Sequence, residues 1–348
     1  MTGPIFQFNY VVKEEAWLLA KLVLAQYRRG TKIVIFPHIR SDGDSYGSSV
    51  ALAMALEKLG FAVKIYLEEV PDAQNEFFNL EPYAEIFDSA DPLPQFVQDA
   101  DLAWMLDCSE LSRLGERLHA WETISEHLVT DHHLSAWENT ERIWIDPSEP
   151  AVSSMVHDLL LSWERMTETK LFDRKIAESL YAALLTDTGR FTYSKVSDRT
   201  FRQAAHLKTY GVNQQAITER FFEQMRKPRM LAYGFIIDHL KLYANERVAV
   251  SCLTYDFQKQ TGAVNTDFTG LVSWMRQLEG VDLTVLFIEA EDGVWRGTSR
   301  SSKQGNAKAL AEHFGGGGHR EAAGFNLDKV SIEDANAFIK DHAEDFLC

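Results

Sequence analysis

The sequence predicts an α/β fold: a doubly wound parallel-sheet domain, a helical connector, and a smaller α/β domain toward the C-terminal end. Two observations carry that reading. Strand-like apolar runs alternate with helical runs through the first half, as in a sheet covered by helices on both faces. Acidic and histidine residues stand directly after several of those runs, where an α/β sheet collects its ligand.

Taken in order, the apolar run 32–36 reads as the first strand and ends near His38. Residues 44–48 lead into a helix over 50–59, stopped by Gly60. Strands follow over 62–67, 102–106 and 127–130. A helix over 155–163 is expected to be capped by Ser153 or Ser154. The next helix, 174–185, carries Asp187 at its end. From 201 to 245 the texture is helical, with no convincing strand. Strand signals return at 247–253, 283–289 and 294–299, with helices expected over 268–278, 307–313 and 332–346. The expected division is a catalytic metal-binding domain at 1–205, a helical connector at 206–245 and a substrate-binding domain at 246–348.

The whole chain bounds the function. Its 348 residues suit two domains, and 45% hydrophobic with 25% charged residues is ordinary for a soluble globular protein. A formal net charge of -16 argues against coating long nucleic acid, which requires neutralising many phosphates. A short anionic substrate remains open, because divalent metals reverse the local sign. Cys108, Cys252 and Cys348 show no paired spacing, so free thiols in a reducing cytoplasm are expected. Residues 1–10 show no basic segment followed by an apolar one, and no signal peptide is expected. No apolar run approaches the ~20 residues that span a bilayer, so no membrane partner is expected.

The chemistry sits at the strand ends. His38, Asp42 and Asp44 follow the first strand, and a loop there can fold three side chains to one point. Gly43 between the carboxylates reads as relief of a tight turn. Imidazole with carboxylate suits manganese, zinc or iron better than magnesium or calcium. The alternative is an ordinary Asp-Gly-Asp turn. Asp107 follows the strand at 102–106, where an Asp also serves as a cap or turn former. Asp131, His132 and His133 follow the strand at 127–130, and a solvated loop rarely needs two adjacent histidines. One of that pair can equally be a donor that orients a ligand. Asp187 at a helix end is disfavoured by the macrodipole unless a cation faces it.

In order and context these segments resemble the four motifs of the DHH phosphoesterase family, named for the triplet that stands here as Asp131-His132-His133. The resemblance covers nearly the whole chain. The run Gly315, Gly316, Gly317, Gly318 and His319 resembles the DHH-associated C-terminal domain. Within the family the chain looks like the NrnA-type enzymes: nanoRNases that also remove the 3′-phosphate of pAp, and cyclic-dinucleotide phosphodiesterases. That resemblance implies two divalent metal ions, with manganese the expected metal. It places His38, Asp42 and Asp107 on one ion and Asp44, Asp107, His132 and Asp187 on the other, with Asp107 bridging. His133 would stand near the substrate phosphate. Asp107, His133, Asp42 and Asp44 would thus carry catalysis. Ser41 replaces the proline usual before the first Asp, and Tyr46 stands where a smaller residue is usual. In such a site two ions ~3.5–4 Å apart turn a bridging water into the attacking hydroxide. Positioning and charge neutralisation supply much of the rate.

In the second domain, 297–303 is polar and basic within an acidic chain. A guanidinium there, Arg300, can grip a phosphate through two parallel bonds. Consecutive glycines let backbone N–H groups turn toward an anion, although many glycine runs are only loops after a helix stop. The resemblance implies that Arg300, Ser299, the glycine run and His319 hold the substrate's terminal phosphate across the interdomain cleft. Arg113 and Asn265 are further candidates for substrate contact, with a structural role as the alternative.

The expected partners are short RNA, a dinucleotide or pAp, with no long nucleic acid and no membrane. The family often forms dimers, so the resemblance allows a homodimer. An inorganic pyrophosphatase or short-chain exopolyphosphatase of the same superfamily competes, because 299–304 resembles the basic motif of the pyrophosphatases. The glycine run with His319 speaks for the nuclease-like branch. A processive exonuclease fits poorly with a short acidic chain. An inactive nucleotide-binding regulator is opposed by the presence of every expected metal ligand.

Overall fold

Val, Ile, Leu and Trp dominate the strand runs, and such runs are stable as parallel strands only when both faces are covered. A computed structural model describes residues 10–72, 74–328 and 330–348. The stretch read for a leader lies, but for Tyr10, outside the described residues. The described residues fall into two compact units that divide between Glu223 and Gln224. Among them, no helix is long and apolar enough to cross a membrane.

The first unit runs α1 (Glu14–Gln26), β1 (Lys32–Pro37), α2 (Gly43–Lys58), β2 (Ala62–Leu67) and β3 (Ala84–Ile86). It continues through α3 (Gln95–Gln98), β4 (Leu102–Leu106), α4 (Leu118–Thr123), β5 (His127–Asp131) and β6 (Ile143–Ile145). Helices α5 (Val152–Thr167), α6 (Arg174–Asp187), α7 (Asp198–Lys208) and α8 (Gln214–Thr218) complete it. The strands form one parallel sheet in the order β3-β2-β1-β4-β5-β6. Successive side chains serve opposite faces. Ile33, Ile35, Leu102 and Trp104 pack with Leu19, Leu52, Leu159 and Leu180 of α1, α2, α5 and α6. Val34, Phe36, Ala103 and Met105 pack with Val97, Leu114 and Trp121 on the other face. Each buried side chain of this size contributes about 1.5–3 kcal/mol. The strand order reverses between β1 and β4, which opens a crevice beyond their carboxyl ends.

The second unit begins with α9 (Lys227–Asp238), β7 (Lys241–Tyr243), β8 (Val248–Leu253), α10 (Tyr255–Thr261) and α11 (Leu271–Met275). It ends with β9 (Leu283–Glu289), β10 (Trp295–Ser301), α12 (Ala307–His313), β11 (Gly317–His319), β12 (Ala322–Asn326) and α13 (Ile332–His342). Its sheet is mixed, in the order β11-β12-β10-β9-β8-β7, with β8 and β9 the parallel pair.

Several elements differ from their sequence expectations. Helix α2 starts at Gly43 rather than near Val50, because the Asp42 carboxylate accepts from the Asp44 and Ser45 amides and caps it. Helix α5 starts at Val152, and neither Ser153 nor Ser154 caps it. The capping carboxylate arrives from Asp44, which accepts from the Val152 and Ser153 amides at 2.6 and 3.1 Å. Within 201–245, Lys241–Tyr243 is an edge strand, paired antiparallel with β8. The glycine run is no loose loop, since Gly317–His319 pairs with β12. Helix α11 is shorter than 268–278, following a 3₁₀ turn at Asn265–Phe268.

Candidate metal centre

The centre is assembled by the close crossing of α2 and α6. A Cβ on Gly43 would lie 2.7 Å from Thr186 Oγ1, and one on Gly47 would lie 2.6 Å from the Ser179 carbonyl. Glycine at positions i and i+4 therefore lets α6 lie against α2. Gly43 is glycine for this contact, not to relieve a turn. The crossing sets Asp44, in the first turn of α2, beside Asp187, the last residue of α6.

The segments after β1, β4 and β5 meet these carboxylates at the carboxyl edge of the sheet. His38 Nδ1 lies 2.6 Å from the Ile39 carbonyl, leaving Nε2 3.4 Å from Asp107 Oδ2. His132 Nδ1 lies 3.3 Å from the Glu149 carbonyl, and its Nε2 stands 3.5 Å from both Asp107 Oδ1 and Asp187 Oδ2. A carbonyl on Nδ1 selects the tautomer whose Nε2 lone pair faces the centre. Asp107 has left-handed backbone with φ 61°, a strained conformation for a residue with a side chain. The groups whose ligand atoms lie within 4.8 Å of one another are His38, Asp42 and Asp107; Asp44, His132 and Asp187; and Asp107, His132 and His133.

Two observations show that a cation fits. Asp107 Oδ1 and His132 Nε2 are buried atoms without a hydrogen-bond partner, and such atoms cost about 1–3 kcal/mol each. The charges are also frustrated. Burial, then the Asp107 and Asp187 carboxylates, push Asp44 well above the carboxylate range. Burial raises Asp187 to about 6. Burial opposes charge on His132, yet Asp107, Asp44 and the other carboxylates push it up to about 10. A cation among them offsets the mutual repulsion of the carboxylates and takes the place of the His132 proton.

Around the ligands stand residues that orient them. Asp131 takes His133 Nδ1 at 2.8 Å and the Ser109 hydroxyl at 2.6 Å, so the half-exposed His133 ring is held from one side. The Arg113 carbonyl accepts from the Ile39 amide at 2.8 Å, steadying the His38 loop. Burial pushes the adjacent Cys108 thiol up to about 11, which leaves it no nucleophile. Nothing in the local sequence marked Ser109, Glu149 or Thr186. The Gly43 and Gly47 spacing was the available signal for the helix crossing.

In the second unit, Arg300 pairs with Ala322, and Ala322 pairs with His319, so the three form one row across β10, β12 and β11. Directly opposite residues project to the same face, about 10 Å separating the outer two backbones. Ser299 lies on the other side of that strand, fully buried, its hydroxyl donating to the Ala307 and Ala323 carbonyls. It is packed away from Arg300. A Cβ on Gly316 would meet the Gly324 carbonyl at 2.2 Å, and one on Gly318 the Ala322 carbonyl at 2.5 Å, whereas Gly315 and Gly317 have nothing within 4 Å.

Comparison with known proteins gives a consistent picture. The model for the N-terminal domain of the DHH family matches residues 32–184, and that for the DHHA1 domain matches 245–346. The chain is 30% identical over 307 residues to the bifunctional oligoribonuclease and PAP phosphatase NrnA of Thermus thermophilus, covering 87% of this chain and 86% of that one. It is 25% identical over 309 residues to NrnA of Bacillus subtilis, with 89% and 93% covered. The crystal structure of an exopolyphosphatase-related protein from Bacteroides fragilis superposes with a TM-score of 0.83 at 21% identity, covering 96% of this chain and 97% of that one. That likeness speaks for the fold.

Proposed function

The chain belongs to the DHH family of phosphoesterases, and on that premise we propose that it cleaves short nucleotides at a centre of two manganese ions. His38, Asp42 and Asp107 would hold one ion, and Asp44, Asp107, His132 and Asp187 would hold the other, with Asp107 common to both. The observation that carries this reading is the pair of buried, partnerless ligand atoms, Asp107 Oδ1 and His132 Nε2, 3.5 Å apart among the donors of His38, Asp42, Asp44, His133 and Asp187. Imidazole mixed with carboxylate favours manganese over magnesium or calcium.

When bound, such ions supply Lewis acidity, activating water and drawing charge from the phosphoryl oxygens. The chain's own residues do the rest. His133, anchored by Asp131 through Nδ1, stands near the substrate phosphate. Arg300 and His319, in one row of the second sheet, hold the substrate's terminal phosphate by charge-assisted bonds. The functional division is a metal-binding part at 1–205, a connector at 206–245 and a substrate-binding part at 246–348, in a cytoplasmic enzyme whose cysteines are free.

Short RNA and pAp are the substrates, as the names of the NrnA relatives suggest. The test is product release with manganese from a panel of pApA, a short RNA, pAp, cyclic di-AMP and pyrophosphate. Cleavage of pApA, short RNA or pAp with little action on pyrophosphate is expected. Preference for pyrophosphate would overturn the substrate assignment.

A further inference from the structure

Residues 149–153 bond to the metal centre on one side and to a buried ionic cluster on the other. Toward the centre, the Glu149 carbonyl meets His132 Nδ1 at 3.3 Å, and the Val152 and Ser153 amides donate to Asp44 at 2.6 and 3.1 Å. Two of the ligands thus take their orientation from five consecutive residues.

Away from the centre, the Glu149 carboxylate is 3% exposed and pairs with Lys13 Nζ at 2.7 Å and Arg199 Nε at 3.3 Å. Arg199, near the start of α7, also pairs through Nη2 with Asp158, a fully buried carboxylate in α5. Asp158 further accepts from the Tyr10 hydroxyl at 2.6 Å and the Lys13 amide at 2.8 Å. One guanidinium therefore bridges Glu149, three residues before α5, to a residue inside that helix, which fixes how the chain enters it. Its Nε and Nη2 are separate donors, so the guanidinium reaches Glu149 and Asp158 at once. The energetics are those of a buried pair, weak in net stability but costly to break from one side.

We propose that Arg199 and Glu149 are positioning residues of the metal centre: by fixing 149–153 they hold His132 in its ligating tautomer and aim the Asp44 carboxylate, and so set metal affinity. The inference rests on the two-metal reading above. Partners that orient metal ligands typically change affinity 10- to 100-fold when lost.

The experiment is calorimetric titration of manganese(II) into the metal-free full chain. Arg199→Met should bind roughly 10- to 100-fold more weakly than wild type. Arg199→Lys should fall between them, since it keeps the charge but replaces the two separate donors that reach Glu149 and Asp158 with a single nitrogen. Tyr10→Phe removes a donor to Asp158 but keeps the ring beneath the Arg199 guanidinium. It should lower the melting temperature but bind as wild type does. If Arg199→Met and Tyr10→Phe both lose stability and both keep wild-type affinity, the role is structural and the inference is overturned. Should Arg199→Met not fold, Glu149→Gln keeps the carbonyl and carries the same expectation of weakened binding. Wild-type affinity in Glu149→Gln overturns the inference equally. A wild-type chain that takes up no manganese sinks the metal reading and this inference with it, which differs from wild-type binding with unaffected variants.

Discussion

Asp107 Oδ1 and His132 Nε2 face each other at 3.5 Å in a buried setting, and neither has a hydrogen-bond partner. The separation is too long for a good hydrogen bond and suits two atoms that share a cation. The fold tolerates the desolvated pair, together with left-handed backbone at Asp107. Cost to stability at a site kept for function is the usual trade.

Asp107→Asn separates the two roles. Asparagine adopts left-handed backbone more readily than most residues, so the fold should survive. The metal-free protein should melt at or somewhat below the wild-type temperature: burial opposes charge on Asp107, but His132 and His38 hold its carboxylate below the ordinary range, and the variant loses that pairing. Turnover of pApA should fall by about 1,000-fold or more, the equivalent of losing about 4 kcal/mol of transition-state stabilisation. Near-normal turnover by this variant would falsify the shared-ligand assignment.

The crossing of α2 and α6 makes a second prediction. A methyl at position 47 would lie 2.6 Å from the Ser179 carbonyl and 2.9 Å from the Ala183 side chain. Gly47→Ala should therefore cost about 1–3 kcal/mol through overpacking and weaken manganese binding by moving Asp187 off Asp44. Gly234→Ala, in helix α9 with nothing within 4 Å of the new methyl, should stabilise by about 0.5–1 kcal/mol. Urea midpoints of the two variants give the comparison, and equal shifts would count against close packing at Gly47.

Much of this was legible in the sequence, and the rest was hidden for physical reasons. The strands at 62–67 and 102–106 are runs that only a sheet with both faces buried accepts, and they stand where expected. All the ligand candidates but Asp187, which ends helix α6, could be read because they follow a strand end, where side chains of a parallel sheet converge. What failed was determined at a distance. The cap of α5 is Asp44, 108 residues earlier, so Ser153 and Ser154 were the wrong local candidates. Gly43 read as a turn former because its real neighbour, Thr186, lies far along the chain. Strand β7 has three residues at a sheet edge, too few to show a period. The glycine run became a strand through pairing with β12, which local propensity argues against.

Arg300 and His319 share a face of the second sheet through Ala322. Arg300→Ala should raise KM for pAp and pApA about 10- to 100-fold, the worth of hydrogen bonds to a charged group, with kcat little changed. A model diester lacking a terminal phosphate should be cleaved with unaltered KM. An equal loss on both substrates would remove Arg300 from phosphate recognition.

A pH effect should arise at His206, which is not among the metal ligands. His206 packs beside Phe172, its Nδ1 2.9 Å from His157 Nε2 and its Nε2 3.4 Å from the Tyr210 hydroxyl. Burial, then charge on His157 and Arg165, bring it down to about 4 from an ordinary 6.5. The unfolded chain takes up this proton as pH falls through 6.5, while the folded chain resists until about 4. The stability contributed is thus complete above 6.5 and lost progressively down to 4. Raised carboxylates such as Asp187 work in the opposite direction, so the total curve does not isolate the histidine. The difference between wild type and His206→Gln does. Wild type should lose more stability than the variant across that interval, read from urea midpoints at several pH values, and the gap should stop changing below pH 4. Parallel curves would show that His206 titrates alike in the folded and unfolded chains.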